Sequence, residues 1–367
     1  MNIQRIEIFK ADIPQKRPFR IALGVTTVAS TIFVRIHTDA GVYGMGEGNL
    51  FTAIVSETQA TALAAARDLA ALLIGANPLD IESCVRAMKR FMPHTPTTRS
   101  AFDMALYDLL GKAAGLPLHT VLGGPRRPIF TDNTVGIDTP DAMVQHALEI
   151  QARGFPAVKV KVGTTADEDI ERIRRIRDAV GPDLPIRIDA NQGWNAVTAV
   201  RALRGMESYG VQYCEQPVPV WDLESMAAVH SATTIPIMAD ESVFDEHDAL
   251  KLVSMHACDY LNIKLAKSSG IHVGLKINAV AEAAGIQCMV GCMTESRLGL
   301  TAAAHFVSSR PNIVFADLDG ADMLRDDPIV GGMIYGDGGR IDLPTGPGVG
   351  ADVDPEYLGT LERIEIS

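Results

Sequence analysis

The apolar positions in the second half of the chain fall into short runs that recur at intervals of roughly 25 residues. Between these runs, apolar residues recur with helical spacing, as in EDIERIRRIRDAV (168–180) and GLKINAVAEAAG (274–285). The runs are IFTDNTVG (129–136), AVKVKV (157–162), PIRIDAN (185–191), VQYCEQP (211–217), PIMADES (236–242), YLNIKLA (260–266), QCMVGCM (287–293) and NIVFADLD (312–319). Eight alternating strand–helix units predict a closed parallel barrel. An open doubly wound sheet is the alternative, but the units lack a glycine-rich nucleotide loop.

The first third of the chain has a different pattern of apolar and polar residues, which predicts an antiparallel sheet followed by helices. Strands are expected at 2–12, 30–38 and 41–48, and helices at 58–73, 81–90 and 98–114. The segment DAGVYG (39–44) predicts a hairpin turn, and GMGEG (44–48) is interpreted as a turn. The segment GGPRRP (123–128) marks a domain boundary, and the Gly- and Pro-rich tail from about residue 326 is expected to pack back on the first domain.

Composition narrows the class of protein. The 367 residues carry a net charge of −12, with 47% hydrophobic and 21% charged residues, and no basic stripe suggests a nucleic-acid partner. No apolar run approaches the roughly 20 residues that cross a bilayer, and the charged N-terminal segment is unlike a signal peptide. Five cysteines without a disulfide-scaffold spacing are expected to be core thiols. We therefore expect a cytoplasmic protein with no membrane partner.

Ionisable residues recur along the chain with the same spacing as the predicted strands. One lies at or near the end of six of the eight strands: Lys161, Asp189, Glu215, Asp240, Lys264 and Asp317. The first five are separated by 28, 26, 25 and 24 residues, and the last by 53 across strand seven. The C-terminal ends of parallel barrel strands meet at one rim, where active sites are built. We therefore expect these six side chains at a single site.

Three of them, Asp189, Glu215 and Asp240, come from adjacent strands. Convergent carboxylates repel each other unless a cation neutralises them, and a set of oxygen ligands suits Mg²⁺. Taken singly, each could instead be a turn or helix-capping residue. Glu241 follows Asp240 directly and is predicted to support the metal site.

Two lysines flank the carboxylates in strand order. Lys161 precedes them and Lys264 follows them, so the two are expected to face each other across the barrel mouth. Lys159 lies on the same face of its strand as Lys161 and would lower the pKa of Lys161 through like-charge repulsion. Two bases beside a metal predict proton removal from one face of a carbon and return to the other, through an enediolate that the metal stabilises. Asp317 and Asp319 are predicted to receive a substrate ammonium group.

The motifs KVKVG, DANQGW, CEQPV, MADESV and NIKLAKSSGI together resemble the enolase superfamily, in its muconate-lactonizing-enzyme-like subgroup. The resemblance covers nearly the whole chain, including the PFRIALG loop (18–24) and the GEG of the first domain. It implies an α/β protein whose (β/α)7β modified TIM barrel (126–325) lies under an α+β capping domain (1–125) to which 326–367 returns. It also implies Mg²⁺ held by Asp189, Glu215 and Asp240, with Lys161 and Lys264 as the acid/base pair.

Within that subgroup the chain is similar to dipeptide epimerases of the L-Ala-D/L-Glu type, through VGCMTESRLGLTAAAHF (290–306) and DLD (317–319). The resemblance implies inversion at the α-carbon of the C-terminal residue of an L,L-dipeptide by a homo-oligomeric isomerase. In some such enzymes an arginine binds the glutamate side chain of the substrate, and this chain has Gly24 at that position. A substrate whose C-terminal residue has an apolar side chain is therefore an alternative. The supporting residues are Lys159, Glu241 and Asn191, and the predicted substrate-binding residues are Asp317, Asp319, Thr134, Arg20, Gly24, Met293 and Thr294.

Other chemistries on the same scaffold remain as alternatives. They are N-acylamino-acid racemisation, o-succinylbenzoate synthesis and a muconate-type cycloisomerisation. Their substrates have no free ammonium group, so Asp317 and Asp319 would be unfavourable there. A non-catalytic barrel with a structural metal is a further alternative, which the complete set of lysines and carboxylates disfavours.

Overall fold

A computed structural model, which describes residues 1–367, contains a sheet of eight parallel strands in which each strand pairs with the next along the chain. The Asp132 N–H donates to the Ala316 carbonyl oxygen at 3.3 Å, which joins the first and last strands. The strands are β5 (Asn133–Val135), β6 (Val158–Lys161), β7 (Ile186–Asp189), β8 (Val211–Glu215), β9 (Ile237–Ala239), β10 (Tyr260–Ile263), β11 (Gln287–Val290) and β12 (Ile313–Ala316). The helices between them are α6 (Pro140–Ala152), α7 (Ala166–Val180), α8 (Ala196–Met206), α9 (Leu223–Ala232), α10 (Glu246–Ser254), α11 (Ile271–Ala283) and α12 (Arg297–Ser309). The predicted (β/α)7β barrel is confirmed.

The N-terminal third forms the predicted antiparallel sheet and helices. The sheet has the order β17–β1–β2–β3, and its inward residues, such as Ile6, Ile32 and Ile36, are fully buried. Its strands are β1 (Ile3–Ile21), β2 (Gly24–Thr38), β3 (Tyr43–Asn49) and β17 (Glu362–Ile366). The helices are α1 (Thr52–Val55), α2 (Gln59–Leu73), α3 (Ile81–Phe91), α4 (Pro96–Ala114) and α5 (Leu118–Val121).

The segment expected as a PFRIALG loop is instead the end of a long β-hairpin. Strands β1 and β2 continue beyond the main sheet, with Phe19 opposite Thr26 and Arg20 opposite Val25. We call residues 15–28 the arm. The Arg20 carbonyl oxygen accepts the Ile137 N–H at 2.9 Å, and a Cβ placed on Gly163 would lie 3.0 Å from the Ala22 Cβ. The arm therefore crosses the barrel rim above β5 and β6.

The strand expected at 41–48 is confirmed as β3, and the interpretation of GMGEG within it as a turn is wrong. Gly44, Gly46 and Gly48 alternate along the strand and face α4, and a Cβ on any of them would collide with α4 backbone atoms. Their missing side chains let the helix lie directly on the sheet. The run IFTDNTVG also differs from its prediction. Ile129–Phe130 form β4 in a separate small sheet, and the barrel strand begins at Asn133.

The tail after the barrel runs beside it before it reaches the first sheet. Its remaining elements are β13 (Ile329–Gly331), β14 (Ile334–Tyr335), β15 (Arg340–Asp342), β16 (Ala351–Val353) and α13 (Pro355–Thr360). Short 3₁₀ helices span Glu207–Tyr209, Gly320–Met323 and Asp337–Gly339. Strand β15 pairs with β4, and β17 pairs with β1, with Ile366 opposite Ile6. No helix of the fold has the length and apolar character of a membrane span. The domain boundaries given above stay predictions.

Candidate active site

The structure places the six strand-end charges at one rim of the barrel. Lys161, Asp189 and Glu215 are the last residues of β6, β7 and β8, and they are adjacent in the strand register. Asp240, Lys264 and Asp317 follow β9, β10 and β12 directly. All six side chains are buried. Because the repeat period fixes where each strand ends, the spacing in the sequence was sufficient to predict this convergence.

Asp189, Glu215 and Asp240 form what we call the three-strand cluster. Each offers one carboxylate oxygen, and these oxygens lie within 4.8 Å of one another. All three residues are completely buried, and Glu215 Oε2 and both Asp240 oxygens face lysine ammonium groups at 2.7 to 3.4 Å. Burial and the neighbouring Asp189 raise the pKa of Glu215 to about 7. Convergent buried carboxylate oxygens surrounded by cationic groups fit a hard divalent cation such as Mg²⁺.

The two flanking lysines contact opposite ends of this cluster. Lys161 Nζ donates to Asp189 Oδ2 at 2.6 Å, and Lys264 Nζ lies 2.7 Å from Asp240 Oδ2. Burial alone would raise the pKa of Asp189, but Lys161 and Lys159 lower it below its usual value. Burial alone would lower the pKa of Lys264, but Asp240 and Glu215 raise it. Strands β7, β8 and β9 separate the two lysines, so the two ammonium groups approach the cluster from different sides.

Lys159 connects the three-strand cluster to the last barrel strand. Its Nζ lies 2.7 Å from Asp317 Oδ2, 2.8 Å from Glu215 Oε2 and 3.3 Å from Asp189 Oδ2. Burial would lower the pKa of Lys159, but Asp317 and Glu215 raise it well above its usual value. Its charge is therefore shared among three carboxylates. The predicted effect of Lys159 on the pKa of Lys161 stays a prediction.

A second acidic group, the strand-eight cluster, consists of Cys292, Asp317 and Asp319. Asp319 Oδ2 accepts the Thr134 N–H at 2.8 Å, and the Cys292 Sγ lies 3.9 Å from Asp319 Oδ1. Asp317 Oδ1 is buried and accepts no hydrogen bond. Burial and Asp317 raise the pKa of Asp319 to about 7, whereas Lys159 outweighs burial and lowers the pKa of Asp317 to about 2. Asp317 Oδ1 is thus left for a cationic ligand, and Asp319 Oδ1 contacts only the weak thiol donor of Cys292.

The predicted supporting residues Asn191 and Glu241 lie beside the three-strand cluster. Asn191 donates its backbone N–H to Asp189 Oδ1 at 2.9 Å and its Nδ2 to Glu241 Oε1 at 3.1 Å, with a left-handed backbone at φ 40°. Burial and Asp240 raise the pKa of Glu241 to about 8. Sequence reasoning missed Asn262, which donates to Glu215 Oε1 at 2.8 Å, and Lys267, whose Nζ lies 3.4 Å from Asp240 Oδ1. The signal for Asn262 was its place two residues before Lys264, on the same strand face.

Met293 and Thr294 lie in the loop after β11, which the capping domain holds. Asn49 Nδ2 donates to the Thr294 carbonyl oxygen at 3.1 Å, and the Thr294 N–H donates to Asn49 Oδ1 at 3.2 Å. Glu47 is buried and accepts the Ser296 N–H at 2.9 Å, the Ser296 hydroxyl at 2.6 Å and the Gly299 N–H at 2.9 Å. Glu47 and Asn49 were missed because their partners lie 249 and 245 residues away along the chain.

The arm residues Arg20 and Gly24 do not join either cluster. Arg20 is exposed, and its guanidinium makes no hydrogen bond or ion pair, although its carbonyl anchors the arm to Ile137. Gly24 has φ 148° at the turn of the arm, and a Cβ there would meet nothing within 4 Å. No cationic side chain therefore occupies the tip of the arm.

Comparison with known proteins gives a consistent result. Residues 4–123 match the N-terminal domain of mandelate racemase / muconate lactonizing enzyme, and residues 142–357 match the enolase C-terminal domain-like family. A D-Ala-D/L-Ala epimerase of Cytophaga hutchinsonii is 43% identical, with 100% of each chain covered. An L-Ala-D/L-Glu epimerase of Bacillus subtilis is 40% identical over 95% of this chain and 96% of its own.

A solved structure extends this similarity to three dimensions. The dipeptide epimerase from Cytophaga hutchinsonii, complexed with Mg and the dipeptide D-Ala-L-Val, superposes with a TM-score of 0.99 at 43% identity, with 100% of both chains covered. The family predicted from the motifs is therefore confirmed. The chain belongs to the mandelate racemase/muconate lactonizing enzyme group of the enolase superfamily.

Proposed function

We propose that this protein is a Mg²⁺-dependent dipeptide epimerase that inverts the α-carbon of the C-terminal residue of an L,L-dipeptide. The observation that carries the proposal is the placement of Lys161 and Lys264 on different sides of one buried three-carboxylate cluster. A single base can remove a proton but returns it to the same face. Two bases on different sides permit inversion.

Asp189, Glu215 and Asp240 would hold the cation, and Asn191 and Asn262 orient two of these carboxylates through hydrogen bonds. When bound, Mg²⁺ supplies positive charge that stabilises the negative charge developing on the substrate carboxylate. One lysine removes the α-proton with its neutral amine, and the ammonium group of the other delivers a proton from the opposite face. Burial of both lysines keeps water away from the exchanging proton.

The strand-eight cluster supports a substrate with a free amino terminus. Asp317 Oδ1 has no hydrogen-bond partner, and Asp319 Oδ1 contacts only the weak thiol donor of Cys292. An ammonium group bound there would offset the burial and the Asp317 charge that raise the pKa of Asp319. The related D-Ala-D/L-Ala epimerase and the related structure with D-Ala-L-Val support a small or apolar C-terminal residue. The absence of a cation at Gly24 also favours an uncharged C-terminal side chain.

The test is incubation of an L,L-dipeptide library with Mg²⁺ in D₂O, followed by mass spectrometry and chiral analysis. We expect deuterium at the α-carbon of the C-terminal residue together with the L,D product. Absence of both exchange and inversion across the library would contradict the proposal. Exchange confined to N-acyl amino acids would favour the racemase alternative instead.

We also propose that the protein is a cytoplasmic homo-oligomer whose domains divide at 125/126 and 325/326. The unpaired, buried cysteines are consistent with a reducing compartment. Cell fractionation and size-exclusion chromatography with light scattering test these statements. Limited proteolysis tests the boundaries, since cleavage is expected first near GGPRRP (123–128).

A further inference from the structure

A cavity outside both acidic clusters lies between the arm, the end of β5, helix α6 and the 3₁₀ helix Gly320–Met323. We call it the arm cavity. It encloses about 160 Å³, enough for a short side chain but not for a large cofactor. Thr134 lines it and also donates its N–H to Asp319, so the cavity borders the strand-eight cluster.

The charge of the arm cavity is opposite to that of the protein. The chain has a net charge of −12, yet Lys16, Arg17, Arg20 and Arg153 line this one cavity. Of the two lining aspartates, Asp322 lies 2.9 Å from Arg153 and 3.6 Å from Lys16. The other, Asp138, accepts the N–H of the following residue at 2.7 Å. Asp322 is therefore paired with two cations, and the four lining cations outnumber the two lining carboxylates.

Two guanidinium groups of the cavity have no partner. Arg17 and Arg20 make no ion pair and no side-chain hydrogen bond, although each carries five N–H donors. His146 on α6 also lacks a hydrogen-bond partner, and burial together with the neighbouring Arg17 holds the pKa of its ring below the usual value. Unpaired donors gathered on one cavity are the usual receptor for a carboxylate.

The remaining wall of the cavity is apolar. Phe19 of the arm, Val135 at the end of β5, Ile137 after it and Met143 of α6 line it beside the cationic groups. An inorganic anion would leave this apolar surface without a partner. A ligand with a short aliphatic stem and an anionic end satisfies both parts of the wall.

We propose that the arm cavity binds a carboxylate carried on a short aliphatic chain, with Arg17 and Arg20 as ion-pair partners and His146 as an additional donor. The carboxylate has two sources: a free dicarboxylate, or the acidic side chain of the N-terminal residue of a substrate peptide. The second source rests on the proposed function, because it requires the α-ammonium of that residue to lie on Asp319, next to Thr134.

The direct test is calorimetric titration of the whole protein with glutarate, without Mg²⁺, so that catalysis plays no part. We expect glutarate to bind the unchanged protein and to bind Arg17→Gln about tenfold more weakly or worse, because one charge-assisted contact is lost. The matched control is Arg67→Gln, an exposed arginine of α2 that changes the net charge equally and should leave binding unchanged. Absence of glutarate binding, equal binding by Arg17→Gln, or equal binding of neutral glutaramide would each overturn the proposal.

A second measurement identifies the source of the carboxylate. The ratio of kcat/KM for L-Glu-L-Ala to that for the neutral isostere L-Gln-L-Ala is compared between the unchanged protein and Arg17→Gln. A ratio that falls about tenfold in the variant supports the substrate side chain. An unchanged ratio together with Arg17-dependent glutarate binding supports a free dicarboxylate. If no dipeptide is turned over, the proposed function fails, while the glutarate titration still decides whether the cavity is a carboxylate site.

Discussion

Two buried acidic clusters lie at the same barrel rim and differ in what their carboxylates contact. In the three-strand cluster, the oxygens come from three different strands, and cationic lysines flank both ends. In the strand-eight cluster, two aspartates come from one strand end, beside a thiol. Burial and Asp317 keep the Cys292 pKa well above its usual value, so this sulfur stays protonated. A protonated thiol is a poor metal ligand.

The difference shows how one barrel rim can bind a divalent metal ion at one cluster and an ammonium group at the other. Oxygen ligands converging from three directions can surround a compact divalent ion. Asp317 is already paired with Lys159, and Asp319 is hydrogen-bonded to Thr134, so the strand-eight cluster offers only two oxygens on one side. That arrangement suits a directional ammonium donor. The predictions below test this division.

Loss of either flanking lysine should have the largest effect. We expect Lys161→Ala and Lys264→Ala each to reduce epimerisation by roughly 10³-fold or more, because general acid–base catalysis alone contributes about 10²–10⁴-fold. The measurement is inversion of an L,L-dipeptide, together with circular dichroism to verify folding. Lys251→Ala, at an exposed position of α10, is the control. Near-normal inversion by either variant would contradict the two-base mechanism.

The two clusters should respond differently to loss of charge. We expect Glu215→Gln to weaken Mg²⁺ affinity about 100-fold, because a charged ligand is lost, while Asp319→Asn leaves Mg²⁺ affinity unchanged. Titration calorimetry with MgCl₂ checks both variants. An equal loss of affinity in Asp319→Asn would mean that the strand-eight cluster takes part in metal binding.

The converse experiment concerns the substrate. We expect Asp319→Asn to lower kcat/KM for a free dipeptide about 10- to 100-fold, since a charge-assisted hydrogen bond contributes about 1.5–3 kcal/mol. The same substitution should affect N-acetylated dipeptides much less, because they have no ammonium group. Equal losses for both substrates would remove the proposed role of Asp319.

The pH dependence of kcat/KM should follow the ionisation of the Asp319 carboxyl group. Because the pKa of Asp319 is raised to about 7, its carboxyl group is charged above that pH and becomes neutral below it. We expect kcat/KM for free dipeptides to fall by up to about tenfold for each pH unit below 7, since a neutral carboxyl attracts an ammonium group weakly. Asp319→Asn should lose this acidic limb of the pH profile. A limb that persists in the variant must come from another group.

The smallest effect is expected at the contact between the domains. Asn49→Ala removes both hydrogen bonds to Thr294 and leaves that backbone unpaired, at a cost of about 1–3 kcal/mol. We expect KM to rise several-fold and kcat to change little, because the loop that carries Met293 loses its anchor while the lysines stay in place. Asn2→Ala, which removes an exposed side-chain amide, is the control. An unchanged KM would show that the loop holds its position without the capping domain.

The sequence predicted the rim of the barrel well because one local rule governs it. Each working side chain ends a strand, and a regular repeat sets where the strands end, so Asp189 and Glu215 could be assigned without knowing any contact. Asn262 obeys the same rule and could have been found.

The features that were missed depend on distant partners. Gly44, Gly46 and Gly48 suggested a turn inside the strand expected at 41–48, and only the packing of α4 explains why that strand contains three glycines. Asn49 contacts Thr294 across 245 residues, a pairing that no local pattern encodes. The arm was expected as a loop because its pairing continues beyond the apolar core, where the alternation of apolar and polar residues is weak.

The pairing of β17 with β1 has a consequence for biosynthesis. Residues 362–366 complete the edge of the first sheet, beside a strand that begins at residue 3. At typical translation rates of about 5–20 residues per second, the ribosome needs roughly 20–70 s to make the intervening chain. Until then the backbone N–H and C=O groups along one edge of β1, from Ile6 to Lys10, are unpaired. Chaperones bind such exposed strand edges, and exposed edges also promote aggregation. The barrel can fold in that interval. We therefore expect the pairing of β17 with β1 to be a late step in folding, after synthesis of the chain is complete.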